Sequence, residues 1–325
     1  MGWLDPAWLD EAHDWIRSSV PGSVIGSIEQ TYVSAWATVM RVPTTDGDLW
    51  FKANASVQRF EAGLAVELAT LATDRVVEVV AADVDRGWFL MADAGERLRD
   101  SVEGPEQLDQ WFRILPMYAE FQLAVAPDVD RLLAVGVPDE RLEALPDHLA
   151  RVLDDHDVLM LGLPDGVTSD ELARLHSALP GFASMCSELA ASPIPQTLQH
   201  DDFHDGQVFV RDGRYLFLDW GDSCISHPFH TMVVTLRVLA VQQELGPGAP
   251  ELLRLRDAYL ERFEELASLA ELRSMADLAH RTGTIARALS WYRYFAGDPD
   301  AERDDTVAWG LKMFLAKGPA GSWQL

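Results

Sequence analysis

The sequence predicts an α+β protein with two parts, a small antiparallel sheet that carries one helix and a larger, mostly helical region. Up to residue 93, runs of β-branched and aromatic residues alternate with turn signals. After "ADAG" the apolar residues take helical spacing, with Pro and Gly between segments. One strand pair, "QVFVRDGRYLFLDW", interrupts that helical region. We therefore expect an N-terminal lobe over residues 1–93 and a C-terminal lobe over residues 94–325.

The N-terminal lobe is predicted to open with an amphipathic helix, "LDPAWLDEAHDWIRSSV", with Asp5 as its N-cap and Pro6 at its first position. Three strands follow, in "VIGSIEQTYV", "AWATVMRVPT" and "DLWFKANA", and an Asp-Gly turn joins the last two. "SVQRFEAGLAVELATLAT" has helical spacing, and "VVEVVAADVDRGWFLMAD" predicts two more strands. These elements make one antiparallel sheet with one inserted helix.

The C-terminal lobe is predicted to be helical in "PEQLDQWFRILPMYAEFQLAV", "ERLEALPDHLARVLDDH", "SDELARLHSALPGFASMCSELAAS" and everything from Pro228 onward. The only strands expected there form the hairpin around Arg211-Asp212-Gly213. Within a helical lobe, such a hairpin is a rigid way to deliver a side chain.

Composition favours a cytoplasmic protein. Hydrophobic residues make up 48% and charged residues 24% of the 325 residues, which is ordinary globular usage. The two cysteines, Cys186 and Cys224, suit a reducing compartment. The first residues are acidic rather than of signal-peptide type, and the longest apolar run, "HTMVVTLRVLAV", is interrupted by Arg237.

The net charge of −26 argues against nucleic-acid and anionic-membrane partners, because phosphates would repel the chain. The acidic excess is spread over both predicted lobes, so it says little about a substrate. Lysine is more informative, since Lys52, Lys312 and Lys317 are the only lysines against 23 arginines. Lys52 stands in the predicted strand "DLWFKANA", where a partly buried charge needs a reason.

The segment "LQHDDFHDGQVFVRDGRYLFLDWGD" places six aspartates and two histidines in 25 residues. A plain acidic turn is one interpretation, since the chain has 52 acids. A dinuclear metal hydrolase is another, although the other seven histidines supply no clear second pair of ligands. The third interpretation is a kinase catalytic loop.

Spacing supports the third interpretation. Asp202 stands two residues after His200 and five before Gln207, and the hairpin then delivers Asp219. A kinase loop has the pattern H-x-D-x-x-x-x-N, followed by a strand pair and a metal-binding Asp. The chemistry requires one carboxylate for the attacking hydroxyl, and an amide oxygen and a second carboxylate for Mg²⁺.

Lys52 tests this interpretation, because a kinase needs a strand-borne lysine paired to a glutamate of the next helix. Glu61 and Glu67 both lie on the predicted helix after "WFKA". The alternatives are a surface lysine and a solvated helix glutamate. Lobe order, lysine, glutamate, connector, catalytic loop and hairpin aspartate all occur in kinase sequence order, which favours a kinase.

"HDDFHDGQVFV" followed by "LDWGD" resembles the aminoglycoside phosphotransferase and choline-kinase-like family, whose usual forms are "HGDxHxGN" and "DWxxA". "AWATVMRV", "WFKA", "RGWFLMAD" and "SHPF" occur in family order, so the similarity covers most of the chain. The resemblance implies a bilobal protein-kinase-like fold. It also implies an enzyme that moves the γ-phosphate of ATP, with Mg²⁺, to a hydroxyl of a small molecule.

The resemblance also implies residue roles. Asp202 is expected to be the catalytic base, Asp219 the main Mg²⁺ ligand, and Lys52 with Glu61 the phosphate-positioning pair. Glu61 is preferred to Glu67 because it heads the helix, as in relatives. Three connector residues, whose backbone groups are expected to bind adenine, are Met91, Ala92 and Asp93.

The sequence departs from the family pattern at three positions. Gln207 replaces the usual Asn as the second metal ligand, as in the maltokinase-like branch "HGDxHxGQ", which favours sugar acceptors. Asp201 replaces a Gly, and Thr231 replaces an Asp of the following helix. None of these changes removes an obligatory group, so an active enzyme is expected.

The expected acceptor is a sugar, an amino sugar or an aminoglycoside, ahead of a choline-like amino alcohol. Asp205, Asp222 and Trp291 are candidate acceptor contacts, although Trp291 also fits a helical core and Asp222 a turn cap. The rival from another class is a nucleotide-binding pseudokinase or scaffold, which only Asp201 and Gln207 support.

Overall fold

The computed structural model describes residues 2–102, 104–246, 248–297 and 301–316. The chain forms two compact units. The first unit comprises the residues up to Leu98 together with Asp130–Val137 and Gln207–Gly221. The second unit comprises Arg99–Val129, Pro138–Gly206 and the residues from Asp222 onward. The functional division expected at residue 93 stays a prediction.

Both helices and strands are present in this α+β chain. The helices are α1 (Pro6–Ser19), α2 (Phe60–Leu71), α3 (Leu98–Ser101), α4 (Pro105–Val125), α5 (Val129–Ala134), α6 (Leu145–Asp154), α7 (Ser169–Ala190), α8 (Met232–Gln242), α9 (Pro250–Leu260), α10 (Leu269–Gly297) and α11 (Thr306–Ala316). The strands are β1 (Glu29–Val33), β2 (Ala37–Thr44), β3 (Gly47–Asn54), β4 (Val79–Asp83), β5 (Trp88–Ala92), β6 (Glu96–Arg97), β7 (Thr197–Gln199), β8 (Val208–Arg211), β9 (Arg214–Phe217) and β10 (Cys224–Ser226).

The first unit contains a five-stranded antiparallel sheet in the order β1-β2-β3-β5-β4. Strand β3 lies at its centre, where Lys52 is opposite Val39 on one side and Phe89 on the other. The sequence predicted these five strands and the two helices that accompany them, and the fold class is confirmed. The cap of α1 is also as predicted, because the Asp5 carboxylate accepts a hydrogen bond from the Ala7 N–H at 2.8 Å.

The two faces of this sheet bury different elements, because side chains alternate along each strand. Phe51 packs with Ile16 of α1 and Trp88 in one apolar cluster. Phe89 belongs to a second cluster with Ala62 and Ala65 of α2 and with Leu216 of β9. Lys52 follows Phe51 in β3, so its side chain is on the face opposite to that of Phe51.

The second unit is mostly helical, with a core rich in aromatic side chains. Tyr118 of α4 stacks on Phe203 with ring centroids 4.0 Å apart, and Trp111 meets Phe203 edge-on at 5.5 Å. Phe203 belongs to the loop after β7, so this packing fixes the loop that carries Asp202. No helix among the described residues is long and apolar enough to cross a membrane.

The expectation that the hairpin contains the only strands after residue 93 was wrong. Strand β6 pairs with β8, and β7 pairs antiparallel with β10, where Gln199 is opposite Cys224. Strands β6, β7 and β10 have only two or three residues each, too few to show the alternation that identifies a strand in a sequence. The "SHPF" segment starts with a 3₁₀ turn over Pro228–Thr231 before α8 begins.

Candidate active site

One buried cation organises the candidate phosphate-binding residues of the first unit. The Lys52 Nζ donates to the Glu61 Oε1 at 2.8 Å and to the Asp219 Oδ1 at 2.5 Å. Lys52 is 6% exposed and Glu61 is 1% exposed. Glu61 lies in the first turn of α2, where a carboxylate is favoured by the helix dipole. The Trp220 N–H also donates to the Glu61 Oε1, at 2.9 Å.

The other glutamate considered from the sequence has a different partner. Glu67 forms an ion pair with Arg131, within the first unit. Lys52 contacts Glu61, which is closer to the start of α2 than Glu67. Glu61, and not Glu67, is therefore the glutamate that pairs with Lys52. The role of this ion pair in binding phosphate stays a prediction.

Charge and burial compete at this cluster. Burial lowers the pKa of Lys52, but the carboxylates of Asp219 and Glu61 more than offset it, so this pKa lies above its usual value. Burial raises the pKa of Glu61 and outweighs the opposing effect of Lys52, and the Asp219 charge raises it further. Lys52 is consequently protonated near neutral pH and can neutralise anionic oxygens.

Gln207 and Asp219 lie at the two ends of the β8–β9 hairpin, in the first unit. The Leu218 N–H donates to the Gln207 carbonyl oxygen at 2.9 Å, which continues the strand pairing to the residue before Asp219. Asp219 has a φ of +66° in the left-handed region, and its side chain is 52% exposed. The two residues offer a carboxylate and an amide oxygen, the hard donors that Mg²⁺ prefers.

This donor set fits Mg²⁺ rather than a metal held wholly by the protein. Within the described residues, no group of three or more His, Cys, Asp or Glu side chains could hold a metal ion. Mg²⁺ usually takes one or two protein carboxylates and completes its shell with water and substrate phosphates. Asp219 with Gln207 meets that requirement.

The connector residues Met91, Ala92 and Asp93 use part of their backbone within the first unit. The Ala92 N–H donates to the Glu78 carbonyl at 2.9 Å. The Asp93 carbonyl accepts from Arg211, and its carboxylate accepts from the Gly95 N–H at 3.0 Å. The Ala92 N–H is therefore engaged, which leaves fewer of these groups for adenine than the sequence analysis assumed.

The carboxylate of Asp202, in the second unit, is held at both oxygens. The Arg287 Nη2 donates to its Oδ1 at 2.9 Å, and the His204 Nε2 lies 3.3 Å from its Oδ2. The His204 Nδ1 accepts from the Gly206 N–H at 2.9 Å, so the proton of the neutral ring is on Nε2 and points to Asp202. The orientation of this carboxylate is thus fixed before any substrate binds.

Arg287 on α10 gathers three carboxylates of the second unit. Besides Asp202, its guanidinium contacts the Asp222 Oδ2 at 3.2 Å and the Asp201 Oδ2 at 3.6 Å. Its guanidinium also lies over the Trp291 ring, 5.4 Å from the centroid. The rigid fork of an arginine suits several acceptors at once.

Burial and the charge of Arg287 together set the pKa values of Asp201 and Asp202. Burial raises the pKa of Asp202, but the charge of Arg287 and the hydrogen bond from His204 more than offset it, and the pKa falls below its usual range. Asp201 behaves differently, because burial raises its pKa beyond what Arg287 and the Gln199 hydrogen bond offset. Asp202 is therefore ionised throughout the physiological pH range, so its carboxylate can accept a hydrogen bond from a hydroxyl group.

Asp201 has an unusual backbone for a residue with a Cβ. Its φ is +60°, in the left-handed region, where an aspartate is tolerated at a cost and a glycine is at ease. Its carboxylate is buried and accepts from the Gln199 amide at 2.9 Å. This conformation explains why the family pattern has Gly at this position.

The three candidate acceptor contacts differ in availability. Asp205 is 1% exposed, and its carboxylate accepts from Arg99, Gln107 and Gln242 at 2.8–3.0 Å. Such a saturated, buried carboxylate holds the loop together and has no free oxygen for an acceptor. Asp222 and Trp291 are half-buried and both contact Arg287.

Two residues that the sequence analysis did not select contact Asp202. His204 is the second histidine of "HDDFHD", so its place in the motif was a usable signal. Arg287 lies 85 residues after Asp202 on a helix and is one of 23 arginines, so the sequence offered no signal for it.

The chain belongs to the phosphotransferase enzyme family, whose model matches residues 41–278. The matched residues include Lys52, Glu61, Asp202, Gln207 and Asp219. No curated protein is significantly similar to the chain in sequence.

Solved structures with the same fold are distant in sequence. A choline/ethanolamine kinase family protein from Mesorhizobium loti has a TM-score of 0.62 and 17% identity, covering 96% of this chain and 95% of its own. Choline kinase from Cryptosporidium parvum has a TM-score of 0.63 and 12% identity, with 95% of each chain covered. A putative aminoglycoside phosphotransferase from Ralstonia eutropha has a TM-score of 0.58 and 14% identity, covering 95% and 97%. The protein-kinase-like fold predicted from the sequence is confirmed.

Proposed function

We propose that this phosphotransferase moves the γ-phosphoryl group of ATP to a hydroxyl of a small molecule, with sugars and amino sugars as the favoured acceptors. The observation that carries the proposal is the buried Lys52, which bridges Glu61 and Asp219. A lysine–glutamate pair beside a metal-binding aspartate is the arrangement that kinases use for phosphates. One solved relative is an aminoglycoside phosphotransferase in a complex with ADP and hygromycin B, which supports ATP and a sugar-like acceptor here.

The proposed reaction uses each residue at a stated atom. The acceptor hydroxyl donates its hydrogen bond to the Asp202 carboxylate, which receives the proton as the acceptor oxygen bonds to the γ-phosphorus. The bond from that phosphorus to the β–γ bridging oxygen breaks, and ADP leaves. The Lys52 ammonium neutralises phosphate oxygens, and Glu61 keeps the lysine in place. Mg²⁺, held by Asp219 and Gln207, would neutralise charge on the phosphates.

The low pKa of Asp202 is compatible with its role. Phosphoryl transfer passes through a loose transition state, so the hydroxyl needs orientation more than an early loss of its proton. A carboxylate fixed by Arg287 and His204 gives that orientation. In this proposal residues 1–93 carry the nucleotide-binding groups, and residues 94–325 carry the catalytic loop and the acceptor contacts. Asp205 is left out of the acceptor contacts because its oxygens are occupied.

The test is acceptor-dependent formation of ADP in the presence of ATP and Mg²⁺. The panel contains neutral sugars, amino sugars, aminoglycosides and choline-like amino alcohols, and mass spectrometry identifies the phosphorylated product. We expect transfer to at least one sugar-like acceptor, and we expect the Asp202→Ala variant to lose it. If nucleotide binds with normal affinity but no acceptor is ever phosphorylated, the chain is a nucleotide-binding scaffold and the proposal is wrong.

A further inference from the structure

A chain of polar contacts runs from Arg99 to the proposed catalytic base. The Arg99 Nη2 lies 3.1 Å from the His204 Nδ1, and the His204 Nε2 lies 3.3 Å from the Asp202 Oδ2. Arg99 lies on α3, and all three residues belong to the second unit. The His204 ring therefore connects an arginine of α3 with the carboxylate of the catalytic loop.

The position of the proton on this ring is defined by its neighbours. A guanidinium can only donate hydrogen bonds, so its contact makes the His204 Nδ1 an acceptor. The Gly206 N–H donates to the same nitrogen at 2.9 Å. Because two donors share the lone pair of Nδ1, the proton of the neutral ring is on Nε2 and is directed to Asp202.

Arg99 is itself held by a buried carboxylate. Its Nε and Nη2 donate to the Asp205 Oδ1 at 3.0 and 2.8 Å, and its backbone N–H donates to the Asp205 carbonyl at 3.2 Å. The Asp205 Oδ2 accepts from Gln107 of α4 and Gln242 of α8 at 2.8 and 2.9 Å. The guanidinium is thus fixed at two of its nitrogens, although the Arg99 side chain is 45% exposed.

Space is limited where the arginine and the ring meet. A Cβ at Gly206 would lie 2.7 Å from the His204 Cε1 and 3.2 Å from the Arg99 Cζ. A larger residue at this position would displace the ring or the guanidinium, whereas glycine allows the close approach. The absence of a side chain at Gly206 therefore allows this contact to form.

We propose that Arg99 is a positioning residue, which acts on Asp202 through the His204 ring. This inference rests on the proposed function. Arg99 fixes the plane of the ring and keeps the proton off Nδ1, so the ring directs its Nε2–H to the Asp202 Oδ2. Arg287 donates to the other oxygen of Asp202 at 2.9 Å. With a donor at each oxygen, the carboxylate is oriented toward the acceptor hydroxyl, and loss of Arg99 loosens one of the two.

The first test is a double-mutant cycle on transfer kinetics. Arg99→Met keeps the stem and removes the donors. We expect kcat to fall about tenfold and the KM for ATP to stay within about threefold, since a partial misplacement costs less than the roughly 100-fold of about 1 Å. In the His204→Ala background, Arg99→Met should cause no further fall in kcat, whereas a merely structural role gives additive losses.

A second arginine variant covers poor folding of the first. Arg99→Met removes the cation beside the buried Asp205 carboxylate, which is costly. Combining it with Asp205→Asn replaces the buried charge by an amide that still accepts from Gln107. The combined variant should have a higher melting temperature than Arg99→Met and the same loss of kcat.

A further pair of variants separates the two hydrogen bonds of the ring. In His204→Gln the amide N–H replaces Nε2–H, and in His204→Asn the amide oxygen replaces the acceptor Nδ1. We expect His204→Gln to keep much of kcat and His204→Asn to resemble His204→Ala. The reverse order would show that the ring acts through Nδ1 alone, which overturns the inference.

NMR of the ring nitrogens reads the position of the proton without an acceptor. We expect the Nε2–H form in wild type and a mixture of forms in Arg99→Met. The matched control is Arg254→Met, at a position on α9 where the side chain is 66% exposed, and it should change neither the ring nor kcat.

Three results overturn the inference while leaving the proposed function intact. They are wild-type kcat in Arg99→Met, a loss that adds fully to that of His204→Ala, and a ring whose protonation is the same with and without Arg99. Absence of transfer to every acceptor by the wild-type protein overturns the proposed function itself, and this inference with it.

Discussion

The Lys52 cluster of the first unit and the Arg287 cluster of the second unit solve the same electrostatic problem in different ways. Each has one buried cation that holds a fully buried carboxylate, Glu61 in one and Asp201 in the other. Each cation also holds a carboxylate that solvent reaches, Asp219 or Asp202. The buried acid stabilises the cation, and the cation orients the acid that carries the proposed chemistry.

The difference lies in the type of cation. A lysine ammonium is a point charge on a flexible stem and can turn its three donors toward a phosphate without losing Glu61. The planar guanidinium of Arg287 is fixed by contacts with three carboxylates, so it suits the role of holding the Asp202 carboxylate in one orientation. The comparison therefore supports the proposal that the lysine cluster binds phosphate and that the arginine cluster orients the base.

The largest expected effect is at Asp202. The Asp202→Ala variant removes the group proposed to receive the proton, and we expect kcat to fall by about 10²- to 10⁴-fold, the usual contribution of a positioned base. Nucleotide affinity should stay within a few fold, because the lysine cluster does not include Asp202. Steady-state kinetics and nucleotide titration measure the two quantities. Asp14→Ala, at an exposed helix position, is the matched control, and a variant with more than about a tenth of wild-type kcat would remove Asp202 from this role.

The second prediction concerns the lysine cluster. Lys52→Ala should weaken the reaction through the phosphates, and Glu61→Ala should do so in part. Because the two side chains form one buried ion pair, their effects on kcat/KM for ATP should be non-additive, with a coupling energy of about 1–3 kcal/mol. Glu67→Ala is the control, since Glu67 pairs with Arg131. Coupling of Lys52 to Glu67 in place of Glu61 would contradict this assignment.

The third prediction tests whether Arg287 positions the base. Arg287→Gln removes the positive charge that neutralises three carboxylates. We expect kcat to fall by up to about 100-fold because Asp202 is no longer held in place. The pKa of Asp202 is held below its usual range by Arg287, so wild-type activity should persist as pH falls to about 4, the usual value for aspartate. In the variant the pKa rises, and the acid limb of the kcat/KM profile should move to higher pH.

A merely structural role for Arg287 would give a different result. It would lower the melting temperature and the amount of active enzyme without moving the acid limb. Arg287→Lys should restore the charge but not the fork, and thus return the pH profile more completely than kcat. Adding Asp201→Asn to Arg287→Gln reduces the uncompensated buried charge and allows the profile to be measured if the single variant folds poorly.

The two clusters also differ in how much of them could be predicted from the sequence. Lys52 and Asp219 were selected because lysine is scarce and the hairpin follows the loop at a fixed spacing, whereas the sequence pattern left Glu61 and Glu67 open and the family resemblance favoured Glu61. Arg287 contacts Asp202 through tertiary packing of α10, which no local pattern encodes. The saturation of Asp205 has the same origin, since its partners come from three other segments. Short pairings such as β7 with β10 were missed because three residues show no period.

The fourth prediction concerns the proposed Mg²⁺ ligands, Asp219 and Gln207. Gln207 carries an amide oxygen on a side chain one methylene longer than that of Asn, and Mg²⁺ requires its ligands at about 2.0–2.1 Å in near-octahedral geometry. If the loop is adapted to Gln, the Gln207→Asn variant should need several times more Mg²⁺ for half-maximal kcat/KM, and Gln207→Ala at least as much. Identical Mg²⁺ dependence in wild type and both variants would show that Gln207 does not bind the metal.

The smallest expected effect on transfer is that of Asp201→Gly, and its comparison with Asp219→Gly tests whether the two clusters have different roles. Asp201 and Asp219 both have left-handed backbones, and glycine at either position avoids a steric cost of about 1–2 kcal/mol. Asp201→Gly loses the hydrogen bond from Gln199 but also removes a buried carboxylate whose pKa is raised. That carboxyl ionises at higher pH in the folded chain than in the unfolded chain. Its ionisation therefore lowers the free energy of unfolding at a pH above the raised pKa of Asp201, and has no effect at a pH below the usual aspartate pKa. The gain in melting temperature should therefore be larger at pH 7 than at pH 4, with transfer activity nearly unchanged. Asp219→Gly also removes a proposed Mg²⁺ ligand, so its transfer activity should fall whatever the change in stability. If Asp201→Gly is as inactive as Asp219→Gly, the buried acid of the arginine cluster takes part in the reaction, and the division of work between the two clusters is wrong.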